Sequence, residues 1–205
     1  MATPHAAAPH PATPSNWNLP NLITVVRILL APLFIWLLLA DGGEDGGLRW
    51  AAAVLFILAI ATDGVDGAIA RRQNLVTDLG KLLDPIADKI LTGGALVSLS
   101  ILGELPWWVT LVILVREVGI TIFRFAMLGD HVIPASRGGK LKTVMQSVAI
   151  SLALVPLWLV VGDWVHWVNT AAMVAALIIT VLTGVDYLVS GWREKRTSGS
   201  SATRS

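Results

Sequence analysis

A chain of 205 residues that is 55% hydrophobic and only 14% charged has too few polar groups for an ordinary water-soluble domain, in which about a quarter of the residues are charged. Its mean hydropathy of +0.70 points to lipid as the solvent, and a formal net charge of +1 with no long basic stripe argues against a nucleic-acid partner. The absence of cysteine excludes disulfides, thiolate metal sites and a cysteine nucleophile, which leaves carboxylates and histidines as the strong metal ligands.

Residues 1–15 are rich in Ala, Pro and His and lack a basic start followed by an apolar run, so they read as a disordered tail and not as a cleaved signal peptide. The segment Asn16–Asn21, N-W-N-L-P-N, places a proline just inside a helix start between asparagines, which suits an N-terminal cap in an interfacial segment at the membrane surface. A bilayer core of about 30 Å needs about 20 mostly apolar helical residues. Six runs meet that length approximately, at 21–40, 49–69, 82–103, 107–128, 142–162 and 167–190, separated by polar breaks. The expectation is an all-α integral membrane protein with six transmembrane helices in one domain over 16–192, followed by a disordered basic tail over 193–205.

Cytoplasmic loops hold the excess of Lys and Arg. One set of alternate loops and ends collects Arg71, Arg72, Lys81, Arg137, Lys140, Lys142, Arg193, Lys195 and Arg196, and the other has only Arg49. Both termini are therefore expected in the cytoplasm. Trp36, Trp50, Trp107, Trp108, Trp164, Trp167 and Trp192 fall near span ends, where amphipathic rings anchor helices.

The chemistry lies between the second and third spans. Asp63 and Asp66 are three residues apart near the cytoplasmic end of the second helix and share a face, while Asp84 and Asp88 are four apart at the start of the third. A short loop brings the pairs together. Four carboxylates at membrane depth repel one another, and each ionised group there costs several kcal/mol, so a cation must occupy the centre. Hard cations with oxygen ligands, Mg2+ or Mn2+, suit such a set. Helix capping is the plainer reading of an aspartate at a helix end, and it is sufficient for Asp78. Gly64, Gly67, Ala70 and Gly80 clear space around the acids, although small residues on membrane helices also serve helix packing.

Asp63, then Asp66-Gly67, two residues, Ala70-Arg71, eight residues, Gly80, three residues, Asp84, three residues and Asp88 resembles, at every position, the signature of the CDP-alcohol phosphotransferases. The resemblance implies a six-helix membrane fold, usually a homodimer, that moves a phosphoalcohol from a CDP-alcohol to a hydroxyl acceptor and releases CMP. It implies two metal ions bridged by Asp63, Asp66, Asp84 and Asp88, with Asp88 as general base. On the same footing, Asp66, Gly67, Ala70, Arg71 and Gly80, with Asn21 and Thr24 from the first helix, bind the CDP-lipid.

A second basic set lies on the same membrane side. Arg116 and Arg124 share a face of the fourth helix, and arginine within a span marks function by default. Glu117 lies on a different face from Arg116 and is expected to pair with another helix. Lys140 and Lys142 enter the fifth helix in R-G-G-K-L-K-T-V-M-Q, and with Arg116 and Arg124 they form an expected site for an acceptor phosphate. The N-L-P-N-x-x-T-x-x-R start, the R-E pair and the G-K-x-K-T-x-x-Q stretch resemble the branch of the family whose acceptor is glycerol 3-phosphate and whose donor is CDP-diacylglycerol. Inositol phosphate, or phosphatidylglycerol for cardiolipin synthesis, are alternative acceptors, and a cation transporter is the reading outside the class. The expected location is a bacterial plasma membrane, with the active site facing the cytoplasm.

Overall fold

The computed structural model describes residues 18–72, 77–127 and 137–202, with side chains left aside at 65–72, 78, 81, 123–127, 137–138, 140 and 191–202. These residues form seven helices: α1 Leu19–Asp41, α2 Gly47–Arg72, α3 Asp78–Ile101, α4 Trp107–Met127, α5 Arg137–Leu154, the single turn α6 Trp158–Val161, and α7 Val165–Ala202. The expected tail over 1–15, and Trp17, lie outside the described residues.

Local chemistry sets the helix ends. Asn18 caps α1, its side chain accepting from the backbone N–H of Asn21 at 3.0 Å, with Pro20 in the first turn. Gly42, at φ +65°, ends α1 in the left-handed region that glycine tolerates without a Cβ penalty. Thr77 caps α3 by accepting from the backbone N–H of Gly80 at 3.0 Å, so α3 begins ahead of the apolar run that marks it in the sequence. The fifth apolar run is not one helix: Pro156 cannot donate to a helical ladder, α5 stops at Leu154, and a turn leads into α6. The backbone of α7 continues to Ala202, through residues read from the sequence as tail. Arg193, Glu194, Lys195 and Arg196 are good helix formers and nothing before them breaks the ladder.

Helix α1 packs against α2 and α3, α7 against α4 and α5, and the two groups meet where α5 contacts α2 and α3 and where α4 contacts α3. The core joins Phe34 to Phe56, with ring centroids 5.4 Å apart, and continues through Leu38, Leu91, Leu96, Leu99, Ile113, Ile150 and Leu154. Alanines 31, 52, 53, 95, 149 and 176, all fully buried, let the backbones approach closely, as is usual where lipid supplies no hydrophobic drive between helices. Gly94 serves the same end, since a Cβ there would lie 2.6 Å from Ile35 Cδ1. The outward faces are apolar: Leu29, Leu33, Val115, Ile122 and Leu182 are exposed, a surface that water would not tolerate at this extent and lipid does.

Three helical segments are long and apolar enough to cross a bilayer: Leu19–Asp41, Gly47–Gly64 and Val165–Ser190. Among the described residues α3, α4 and α5 do not reach that mark: α3 carries Asp84, Asp88 and Lys89, α4 carries Arg116 and Glu117, and α5 offers only the shorter apolar stretch Leu141–Leu154. Asp84, Asp88, Arg116 and Lys142 are among the residues on which the expected chemistry rests.

Candidate active site

Helix α1 supplies a polar stripe in an otherwise apolar helix. Asn21, Thr24 and Arg27 recur at three-residue spacing and are 5%, 1% and 2% exposed. Each reaches a different part of the acidic region. The Asn21 carboxamide donates to Thr77 Oγ1 at 2.8 Å, which ties α1 to the cap of α3. A Cβ on Gly80 would lie 2.6 Å from Asn21 Oδ1, so a larger residue at position 80 would displace the Asn21 carboxamide. The Thr24 hydroxyl lies within donating distance of Asp84 Oδ1 at 2.8 Å and of the Pro20 carbonyl at 3.1 Å. The Arg27 guanidinium donates to, and forms an ion pair with, Asp63.

One buried face of α1 thus holds one acid from α2 and one from α3. Asp63 keeps 45% of its side-chain surface exposed and Asp84 is exposed, so both carboxylates remain open to a ligand. Asp66 lies one helical turn beyond Asp63 on α2, and its side chain, like those of Gly67, Ala70 and Arg71, falls outside the description. Asp88 lies one turn deeper than Asp84 on α3 and is partly buried. The charges acting on it are those of Lys89, Lys142, Asp63 and Glu117. Pro85 between the two acids removes one helical hydrogen bond, which locally loosens the helix that carries them.

Among the described side chains no three carboxylate or imidazole groups form a metal-binding cluster. The donor set nevertheless fits a hard divalent cation: oxygen ligands only, on facing helix ends, with two of the acids open to the outside.

The basic set is reorganised relative to the sequence expectation. Glu117, 11% exposed, is its hub: Lys142 Nζ lies 2.5 Å from Oε1, Arg116 Nη1 3.1 Å from Oε1 and Lys89 Nζ 4.0 Å from Oε2. Glu117 does pair with other helices, as expected, and with its neighbour Arg116 as well. Arg116 turns toward α7, donating from Nε to the Thr180 carbonyl at 3.1 Å and from Nη2 to Thr183 Oγ1 at 3.0 Å. It packs over Gly184, where a Cβ would lie 3.1 Å from its Cγ. Lys142 is buried and stands within electrostatic reach of Asp88, which brings the acid and basic sets together. Arg124 lies on α4 and Lys140 on α5, with side chains outside the description.

Sequence reasoning did not single out Lys89, and it had Arg27 and Gln146 only as motif positions and Glu117 only as a pairing residue, without a role in the site. The three-residue recurrence of Asn21, Thr24 and Arg27 in an apolar helix is a signal that could have placed Arg27 there. For Lys89 and Glu117 no spacing rule applies, because they meet each other and Lys142 from three helices distant in sequence.

A cavity of about 640 Å3 lies at the opposite end of the bundle, between the α1–α2 and α3–α4 connections and α7. None of the signature residues lines it. Beside it, the fully buried Arg49 binds both oxygens of Glu104 at 2.5 Å, donates to the carbonyls of Ala153 and Leu154 and lies 5.2 Å from the Trp158 ring. Every direction of that guanidinium is used in joining helix ends, which gives this end a structural character.

An all-helical membrane protein with paired acids on adjoining helix ends and a basic cluster beside them defines a class of intramembrane enzyme that handles anionic substrates. The chain belongs to the CDP-alcohol phosphatidyltransferase family, whose sequence model matches residues 17–182, and it is a phosphatidyltransferase of phospholipid biosynthesis. It is 45% identical over 177 residues to a probable phosphatidylglycerophosphate synthase of Mycobacterium tuberculosis, covering 86% of this chain and 83% of that one. It is 39% identical over 198 residues to a CDP-diacylglycerol–glycerol-3-phosphate 3-phosphatidyltransferase of Bacillus subtilis, covering 89% and 99%. A relative of the same name in Rickettsia typhi is 37% identical over 181 residues, covering 83% and 94%.

Proposed function

We propose that the protein transfers the phosphatidyl group of CDP-diacylglycerol to the primary hydroxyl of glycerol 3-phosphate, giving phosphatidylglycerophosphate and CMP. The observation that carries this reading is the clamp of α1 on the acids, Arg27 on Asp63 and Thr24 on Asp84, with Lys142 within reach of Asp88. The names of the relatives support the choice of donor and acceptor.

In this reading Asp88 takes the proton of the acceptor hydroxyl, whose oxygen attacks the lipid-linked phosphorus. The bond from that phosphorus to the CMP phosphate oxygen breaks, and CMP leaves. Asp63, Asp66, Asp84 and Asp88 would hold two Mg2+ or Mn2+ ions, which supply electrostatic neutralisation of the pyrophosphate and the leaving group. Gly67, Ala70, Arg71 and Gly80, with Asn21 and Thr24, bind the nucleotide end of the donor. Lys142, Lys140 and Arg124 meet the acceptor phosphate, while Arg116 braces Glu117 against α7. The cations gathered on Glu117, namely Lys89, Arg116 and Lys142, suit a phosphate monoester, which carries about −1.5 to −2 at neutral pH.

The fold that goes with this function is a six-helix membrane domain, homodimeric, with both termini and the active site at the cytoplasmic face of a bacterial plasma membrane. Purified protein supplied with CDP-diacylglycerol and a divalent cation is expected to release CMP with glycerol 3-phosphate, and not with inositol phosphate, serine or phosphatidylglycerol. Release with inositol phosphate alone would overturn the acceptor while leaving the chemistry of the acids in place.

A further inference from the structure

Gln146 is 3% exposed, and its side-chain carbonyl oxygen is buried with no hydrogen-bond partner. Such an acceptor is costly in any protein interior. Thr180 and Asn169 also carry unpartnered buried oxygens, but Asn169 lines the cavity at the far end and Thr180 is on α7. Gln146 shares its helix with Lys142, one of the charged groups that the reaction needs. It lies four residues beyond Lys142 on α5, so the two side chains share a face one turn apart. Helix α5 packs against α3, on which Asp88 lies one turn deeper than Asp84. Lys142 and Asp88 stand within electrostatic reach of each other, so the face of α5 that carries Lys142 and Gln146 is turned toward Asp88.

We infer that Gln146 recognises the secondary hydroxyl of the acceptor. The inference rests on the function proposed above. With the acceptor phosphate at Lys142 and its primary hydroxyl at Asp88, the hydroxyl on the middle carbon falls between the two helices, and it donates to Gln146 Oε1. That hydrogen bond satisfies the buried oxygen. A site built to bond a substrate hydroxyl rejects the analogue that lacks it more strongly than an apolar pocket can reject an added group.

The test uses the purified full-length protein with two acceptors, glycerol 3-phosphate and 1,3-propanediol monophosphate, which differ only in that hydroxyl. The wild-type protein is expected to show a KM about tenfold higher for the propanediol compound, the loss of one buried hydrogen bond. Gln146→Met, close in volume and apolar, is expected to raise the KM for glycerol 3-phosphate by a similar factor while leaving the KM values for the propanediol compound and for CDP-diacylglycerol unchanged. An equal rise for both acceptors would make Gln146 a packing residue and overturn the inference. Equal KM values in the wild-type protein would overturn it without any variant, should Gln146→Met fail to fold. If glycerol 3-phosphate released no CMP at all, the proposed function would fall and this inference with it.

Discussion

Asp88 stands among charges of both signs, with Lys89 and Lys142 on one side of the balance and Asp63 and Glu117 on the other. It is also less open than Asp84, which is exposed and accepts from Thr24. That difference favours Asp84 as a purely ligating group and Asp88 as the group that meets an acceptor hydroxyl next to Lys142. Asp88→Asn keeps the size of the side chain and one carbonyl oxygen, but the amide cannot take up a proton. CMP release is expected to fall by about 10^2 to 10^4, the usual contribution of a positioned general base, with CDP-diacylglycerol still raising the thermal stability of the variant. Turnover within a few-fold of wild type would place the base elsewhere. The convergence of Asp63 and Asp84 on one face of α1 was half legible in the sequence, because acids three and four residues apart fall on one face of a helix. Glu117 as a hub was not, because Lys89 and Lys142 reach it from α3 and α5, and no local period encodes that meeting.

At the scale of the elements, the site depends on how closely α1 lies against the start of α3. Gly80 permits that approach, since its missing Cβ leaves room for the Asn21 carboxamide, which is already engaged with Thr77. In Gly80→Ala the carboxamide must swing away and lose its hydrogen bond, at a cost of about 1–2 kcal/mol, and the α1 stripe moves off the acids. The expected result is a melting temperature lowered by several degrees in detergent together with reduced CMP release. Adding Asn21→Ala is expected to restore much of the stability without restoring activity. A Gly80→Ala protein that melts like wild type would show that the junction adapts freely. The sequence pattern located α1, α2, α4 and most of α7 to within a few residues, because apolar runs of about 20 residues bounded by polar breaks leave little choice. It mistook 142–162 for one helix because residues 155–161 are as apolar as a span, and hydropathy does not register the missing N–H of Pro156. The early start of α3 was equally hidden, since the cap at Thr77 is polar and falls outside the apolar run.

At the scale of the whole molecule, Arg49 bears on how the helices are oriented in the bilayer. Counting cations by loops leaves Arg49 as the exception on the side expected outside the cytoplasm. In the structure that charge is fully buried and bound on both arms by Glu104, so it does not act as a free cation at an interface. The remaining asymmetry of Lys and Arg then supports a single orientation. Two topologies compete. If only the three most apolar segments cross, Glu44 and Ser198 lie outside and Asp163 lies inside. If α3, α4 and α5 also cross, the charges of the site lie at their cytoplasmic ends, Glu44 and Asp163 share the outer side, and Ser198 is cytoplasmic. Because the chain has no cysteine, single substitutions give labelling without background. With a membrane-impermeant maleimide on intact cells, Glu44→Cys and Asp163→Cys are expected to react and Ser198→Cys to react only after permeabilisation. Reaction of Ser198→Cys from outside with protection of Asp163→Cys would establish three crossings in place of six. It would also remove the bilayer depth on which the electrostatic argument for a cation among the four aspartates depends.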